Sequence, residues 1–273
     1  HIINVAATSS DGSTSSFSTP GASILVSAFG EDLLTTFYDW TNPNLANNYT
    51  RFAGTSGAAP LVSGVIALML EANPLLGYRD VQAILAYSAR QETTEGFKFN
   101  SASDWNGGGL HISHDQGFGL VDAHAAVRLA ETWGTDAQTA ANEESIHWRP
   151  DDAGSIPDNT NQDLSFNAVI EKEVEVEWAE VELDIRHPRI ADLEVELVSP
   201  AGTVARLIDR PSVTSDNPTG SSGEYSNIPD RIIFTTSASL FRGESSVGEW
   251  GLRVRDQQSG EVGELRQWGL KLH

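Results

Sequence analysis

The stretch Gly54-Thr55-Ser56-Gly57-Ala58-Ala59-Pro60 holds the residues best placed to do chemistry. A serine at the start of a helix can act as a cap, its oxygen accepting amide hydrogens that the first turn leaves without partners. It can also act as a nucleophile, because the helix start is the positive end of the dipole and its amides can hold an oxyanion. A cap requires neither glycine before it nor alanine after it, and on residue types alone both readings stand. Cysteine is absent, which removes thiolate nucleophiles, disulfides and cysteine zinc sites and leaves the redox compartment open. A serine nucleophile needs a histidine to take its proton and an acid to orient that histidine. His1 lies before Ser56 and the other six histidines after it, and Asp11, Asp32 and Asp39 lie in turn-like or polar sequence.

The elements that must position Ser56 can be read around it. The opening HIINVAATSS predicts a buried strand, and a second short strand follows in SFSTPGASILVSAFG. A polar loop rich in Asn and aromatics spans 32–51. Residues 56–71 predict a helix with Ala59, Val62, Ser63, Ile66, Met69 and Leu70 on one side. Small and apolar all round, it is expected wholly inside a core. Asn73-Pro74 ends it, since proline disfavours helix in the residue before it. Further helices are expected at about 79–89 and 121–132.

Residues 133–162 are polar, acidic and without sustained periodicity, and read as a linker. Beyond them the period becomes two. Val174, Val176 and Trp178 alternate, then Val181, Leu183 and Ile185, and the change of phase suggests a bulge at Ala179-Glu180. LEVELVSP, TVARLID, RIIFTT, WGLRVRD and LRQWGLKLH continue the theme, so an antiparallel sandwich of the jelly-roll kind is expected, with Trp178, Trp250 and Trp268 in its core. The division is an α/β part over 1–132, a linker over 133–162 and an all-β part over 163–273.

The formal charge of −21 is spread along the chain. It repels nucleic acid phosphate, favours cationic partners and aids solubility. The longest apolar run, 65–70, falls far below the ~20 residues that cross a bilayer, so neither nucleic acid nor membrane is an expected partner.

GTSGAAPLVSGVIALMLEANPLLGYRDVQAIL resembles the serine-bearing segment of subtilisin-like serine proteases, and its EANP and RDVQ tail is similar to the kexin and furin branch. SHDQGFGLVDAHAAVRLAETW looks like the end of that branch's catalytic domain. DLEVELVSPAGTVARLIDRP, with GEWGLRVRD and WGLKLH, is similar to its P domain. The resemblance implies the C-terminal portion of a doubly wound parallel sheet followed by a β-sandwich that stabilises it. It implies acyl transfer on protein or peptide substrates, with Ser56 as nucleophile, Thr55 supporting the oxyanion, and Gly54 and Pro60 shaping the turn and helix. The triad histidine and aspartate are then supplied by sequence outside this chain, an N-terminal part of the catalytic domain that is either a separate chain or a stretch this sequence does not include. The strand-like start at His1 agrees with a break inside a fold.

The family's preference for basic residues rests partly on an acid near the strand read at 15–29, where this sequence has Thr19. His111, His114 and His124 fall in domain-end sequence, and His147, His187 and His273 in the linker or sandwich, as surface or packing residues. Calcium and an extracytoplasmic location are implied by the resemblance alone. DNTNQD, 158–163, is the nearest stretch to a calcium loop and is expected to be solvated linker. The alternative function is a binding or structural module in which Ser56 only caps its helix.

Overall fold

In the computed structural model, β1 (Asn4–Thr8) and β2 (Ile24–Phe29) pair in parallel and form the floor on which the Ser56 helix rests. The structure describes residues 2–38, 49–94, 96–102, 109–134, 137–149, 153–158, 163–210 and 231–273. Residues Ile24 to Ala28 are all buried, the continuous apolar pattern of a strand covered on both faces. A hairpin of β3 (Leu33–Thr36) and β4 (Tyr49–Phe52) leads into α1 (Thr55–Ala72). Then come α2 (Tyr78–Ser88), the two-residue strands β5 (Lys98–Phe99) and β6 (His111–Ile112), paired with each other, and α3 (Ala123–Glu131). The turn before α3 runs beside β2: Phe118 N donates to Leu25 O, Ser27 N to Gly119 O and Val121 N to Ser27 O. Gly117 makes that approach possible, with φ of 61° and a position where a Cβ would lie 2.4 Å from Leu25 O.

α1 departs from the expectation of burial all round. Gly57, Ala58, Val62, Val65 and Met69 are buried toward β1, β2 and α3. The opposite face exposes Leu61 at 44%, Leu68 at 49% and Leu70 at 40%. Ala59, Ser63 and Leu70, read on the same side as Val62 and Met69, are exposed, because composition this uniform does not mark which side meets the sheet. By length and composition α1 could cross a membrane, but its packed small-residue face makes it the helix that covers the sheet.

The chain divides into two compact units. One comprises His1–Phe99 and Leu110–Glu143, the other Asn100–Gly109 and Glu144–His273. In the second, one sheet contains β7 (Ile146–Trp148), β8 (Gly154–Ile156), β11 (Ala179–Arg186), β14 (Arg231–Ala238) and β17 (Gly263–Leu272). The facing sheet is β9 (Leu164–Ile170), β12 (Leu193–Val198), β13 (Val204–Asp209) and β16 (Gly248–Asp256). All pairings in both sheets are antiparallel. Short strands β10 (Glu175–Val176) and β15 (Glu244–Ser245) pair separately. The architecture is therefore a mixed α/β region followed by an antiparallel β-sandwich.

The core follows the alternation in β11, β12 and β16, where Val181, Leu183, Val195, Leu197, Leu252 and Val254 are buried, with Trp250 and Trp268 fully enclosed. Trp178 is half-buried and stacks on His273 at a centroid distance of 4.3 Å. The phase change read as a bulge at Ala179-Glu180 is a break between β10 and β11, which belong to different sheets; the β11–β17 bulge lies at Asp184/Ile185.

Two parts of the stretch read as linker have other roles. β7 and β8 pair with β17, and three residues are too few to display alternation. Upstream, the buried Asp80 of α2 accepts hydrogen bonds from Gly77 N, Gln138 N and Trp133 Nε1 at 2.8, 2.9 and 2.8 Å. Arg79 donates to Thr139 O and Asn142 Oδ1. These bonds hold Trp133, Gln138, Thr139 and Asn142 on α2 by individual side chains, which no periodic pattern reveals.

Candidate active site

Ser56 is the second residue of α1 and is exposed; Thr55 opens the helix and is half-buried. The N-cap is Gly54, with no side-chain cap hydrogen bond. Ser56 therefore does not cap α1. Gly57 N and Ala58 N both donate to Gly54 O, at 2.9 and 3.4 Å. Neither the amide nor the hydroxyl of Ser56 has a hydrogen-bond partner among the described residues. The first turn contains no acidic residue, so the helix itself supplies none to offset the positive end of its dipole. Pro60 stands four residues beyond Ser56 and cannot donate to its carbonyl, which loosens the first turn.

Three glycines place this turn. Gly54 has φ of 145°, a backbone conformation that L side chains rarely adopt. Its N–H donates to Gly30 O at 2.8 Å, and Gly30 N donates to Thr8 O at 2.9 Å, tying the serine turn to the ends of both parallel strands. A Cβ on Gly30 would lie 2.5 Å from Ala7 Cβ. Gly57 lies against Leu33 and Phe52 of the hairpin, its Cβ position 2.6 Å from Leu33 Cδ1.

No triad partner is assembled around Ser56 among the described residues. Asp11 Oδ1 accepts from Ser13 Oγ at 2.6 Å, from Ser9 Oγ at 2.5 Å and from Ser13 N at 3.0 Å, and these bonds, Ser13's foremost, hold its carboxyl down to about 2. Asp32 pairs with Arg51 at 2.6 Å across the mouth of the hairpin, and Asp39 lies outside the described residues. Thr19 is exposed in the turn before β2, while its neighbour Ser18 accepts from Ala7 N. His124 and His147 are exposed, and His111 is half-buried in β6.

A buried His–Asp pair does exist, in the sandwich. His187 Nε2 lies 3.3 Å from Asp256 Oδ2 while Nδ1 accepts from Arg189 N at 3.0 Å. With both ring nitrogens engaged and no serine on either, the pair is a structural fastening that the sequence reading missed. Gly263 lies so close that its Cβ would meet His187 Cδ2 at 2.2 Å. Among the described residues no three His, Asp or Glu side chains are grouped to hold a metal. Of DNTNQD, Asp158 accepts from Gly260 N and Asp163 pairs with Arg255, and 159–162 lie outside the described residues.

Comparison with known proteins places both units. Residues 1–119 match the Subtilase family, and residues 176–272 match the Proprotein convertase P-domain. Proprotein convertase subtilisin/kexin type 6 of Rattus norvegicus is 34% identical over 235 residues, 81% of this chain and 23% of its own length. Kexin of Saccharomyces cerevisiae is 31% identical over 232 residues, covering 80% of this chain and 26% of kexin. The chain thus spans about a quarter of these relatives. The fold is also that of the crystallised serine protease of Aeromonas sobria, with a TM-score of 0.77 at 24% identity over 98% of this chain and 56% of that one.

Proposed function

Because the chain belongs to the kexin and proprotein convertase family of subtilisin-like serine proteases, we propose that it supplies the nucleophile, Ser56, of a serine endopeptidase whose histidine and aspartate come from sequence outside it. The observation that carries this reading is the state of Ser56, exposed at a helix start whose cap position is filled by Gly54, with neither hydroxyl nor amide hydrogen-bonded among the described residues.

Ser56 Oγ attacks the carbonyl carbon of a peptide bond while its proton passes to the incoming histidine, which the aspartate holds in the correct tautomer. The negative oxygen that develops meets the Ser56 amide and the positive end of α1, with Thr55 beside them. The C–N bond then breaks, the amine leaves with the proton, and water releases the acyl group from Ser56. Protein or peptide is the substrate class. Thr19 in place of an acid argues for a weaker preference for basic residues than in the relatives, while the overall −21 charge still speeds encounter with cationic chains. The described residues gather no calcium cage, so no step is routed through that ion. An extracytoplasmic location belongs to this proposal.

The second reading, a binding or structural module, draws on the absence of triad partners around Ser56 among the described residues. A fluorophosphonate probe applied to the longest natural product containing this chain separates the two. Labelling at Ser56, lost in Ser56→Ala, is the outcome expected of the peptidase; an intact product unlabelled at Ser56 overturns it.

A further inference from the structure

The loop between β5 and β6 leaves the first unit after Phe99 and returns at Leu110, and between them Asn100–Gly109 are part of the sandwich unit. Its opening residues are held there by specific bonds. Asn100, 5% exposed, donates from Nδ2 to Leu240 O at 3.0 Å and to Arg242 O at 2.9 Å. Its Oδ1 accepts from Ala102 N at 3.1 Å, and Ser101 N donates to Glu244 Oε1 at 2.9 Å. Glu244, 1% exposed, also accepts from Thr203 Oγ1. Gly243 has φ of 78°, and a Cβ there would lie 2.8 Å from Ala102 Cβ, so the turn is shaped by close approach to the segment as well as by its own backbone. The same turn is fixed to the core, since Gly243 N donates to Val176 O and Phe241 packs edge-on to Trp250 at 5.0 Å.

We propose that the turn 239–244 is a receptor for residues 100–102, and that the sandwich reaches its full stability only with this segment seated. Buried carbonyls at Leu240 and Arg242 and a buried carboxylate at Glu244 face the segment. Unseating the segment gives up three hydrogen bonds and the packing over the turn, and a seated segment that cannot donate leaves these acceptors buried and unsatisfied, so both are destabilising. The segment therefore unfolds with the sandwich and not with the unit that bears Ser56, although it lies within the sequence of the α/β part. This inference is independent of the peptidase reading.

Amide hydrogen exchange on the full chain across a urea series tests it. In the unaltered chain, Ser101 and Ala102 are expected to lose protection over the same urea range as β16, whatever the range in which α2 does so. Asn100→Asp keeps the bond to Ala102 but cannot donate to the two carbonyls. It is expected to speed exchange in β16 and β17 about tenfold while α2 is unchanged. Unprotected residues 101–102, or protection that follows urea independently of β16, overturns the proposal even if the variant does not fold. Unchanged exchange of β16 and β17 in a folded Asn100→Asp chain also overturns it.

Discussion

At the scale of single residues, the backbone around Ser56 is more demanding than the serine itself. Gly54→Ala has room for its Cβ, whose nearest neighbour would be Phe52 Cε1 at 3.6 Å, but not for the φ of 145°. It should cost about 1–3 kcal/mol, read by urea unfolding, and, under the proposed function, slow probe labelling of Ser56. His111 gives a pH signature. Burial pushes its imidazole below the ordinary 6.5, opposed by the backbone of Phe118. The unfolded chain therefore takes up the proton first as pH falls. The contribution to stability is complete above about 6.5 and is lost on acidification below it. His111→Gln should flatten the fall in urea midpoint between pH 7.5 and 5.5; an unchanged slope would assign the fall to other groups. Ser56 was legible as a candidate from its place at a helix start in G-T-S-G-A-A-P, where cap and nucleophile both stood, while Thr55 entered only through the resemblance to subtilisin-like proteases. The bond from Gly54 N to Gly30 O was not legible, since 24 residues of sequence separate its partners.

At the scale of elements, α1 has two unlike apolar faces, and substitution should tell them apart. Met69→Ala empties a fully buried site and should cost about 2–5 kcal/mol. Leu68→Gln on the exposed face should lie within about 0.5 kcal/mol of the parent chain. Equilibrium unfolding of both variants checks this. If an N-terminal part of the catalytic domain covers that face in the longer protein, Leu68→Gln becomes costly there while Met69→Ala is costly in both. Helices and long strands were readable from periodicity, since burial on one side selects side chains every two or three to four residues. The burial of α1 was not, because a helix rich in Gly and Ala has the same composition whether one face or the whole is covered.

At the scale of the whole molecule, the excess of 38 acidic over 17 basic residues opposes compaction in both units. Raising sodium chloride from about 0.01 to 0.5 M shortens the Debye length several-fold and should raise the thermal midpoint. A midpoint that is flat or falls with salt would mean that ion pairs such as Arg255 with Asp163 and Arg231 with Asp184 already offset the repulsion. Spread over the surface, the same charge influences encounter with cationic chains more than selection within a cleft.

The sequence by itself determined the order of α/β and all-β parts, the helices and main strands, and Ser56 as the residue to watch, because these depend on local period, turn residues and one dense motif. Only the tertiary structure decided that Gly54 and not Ser56 holds the cap position, that β7 and β8 join the sandwich, that Asp80 holds Trp133 and Gln138, and that Asn100 belongs with residues 240–244. Each of these depends on single hydrogen bonds or strand pairings between residues distant in the chain, and such bonds leave no period for a sequence to display.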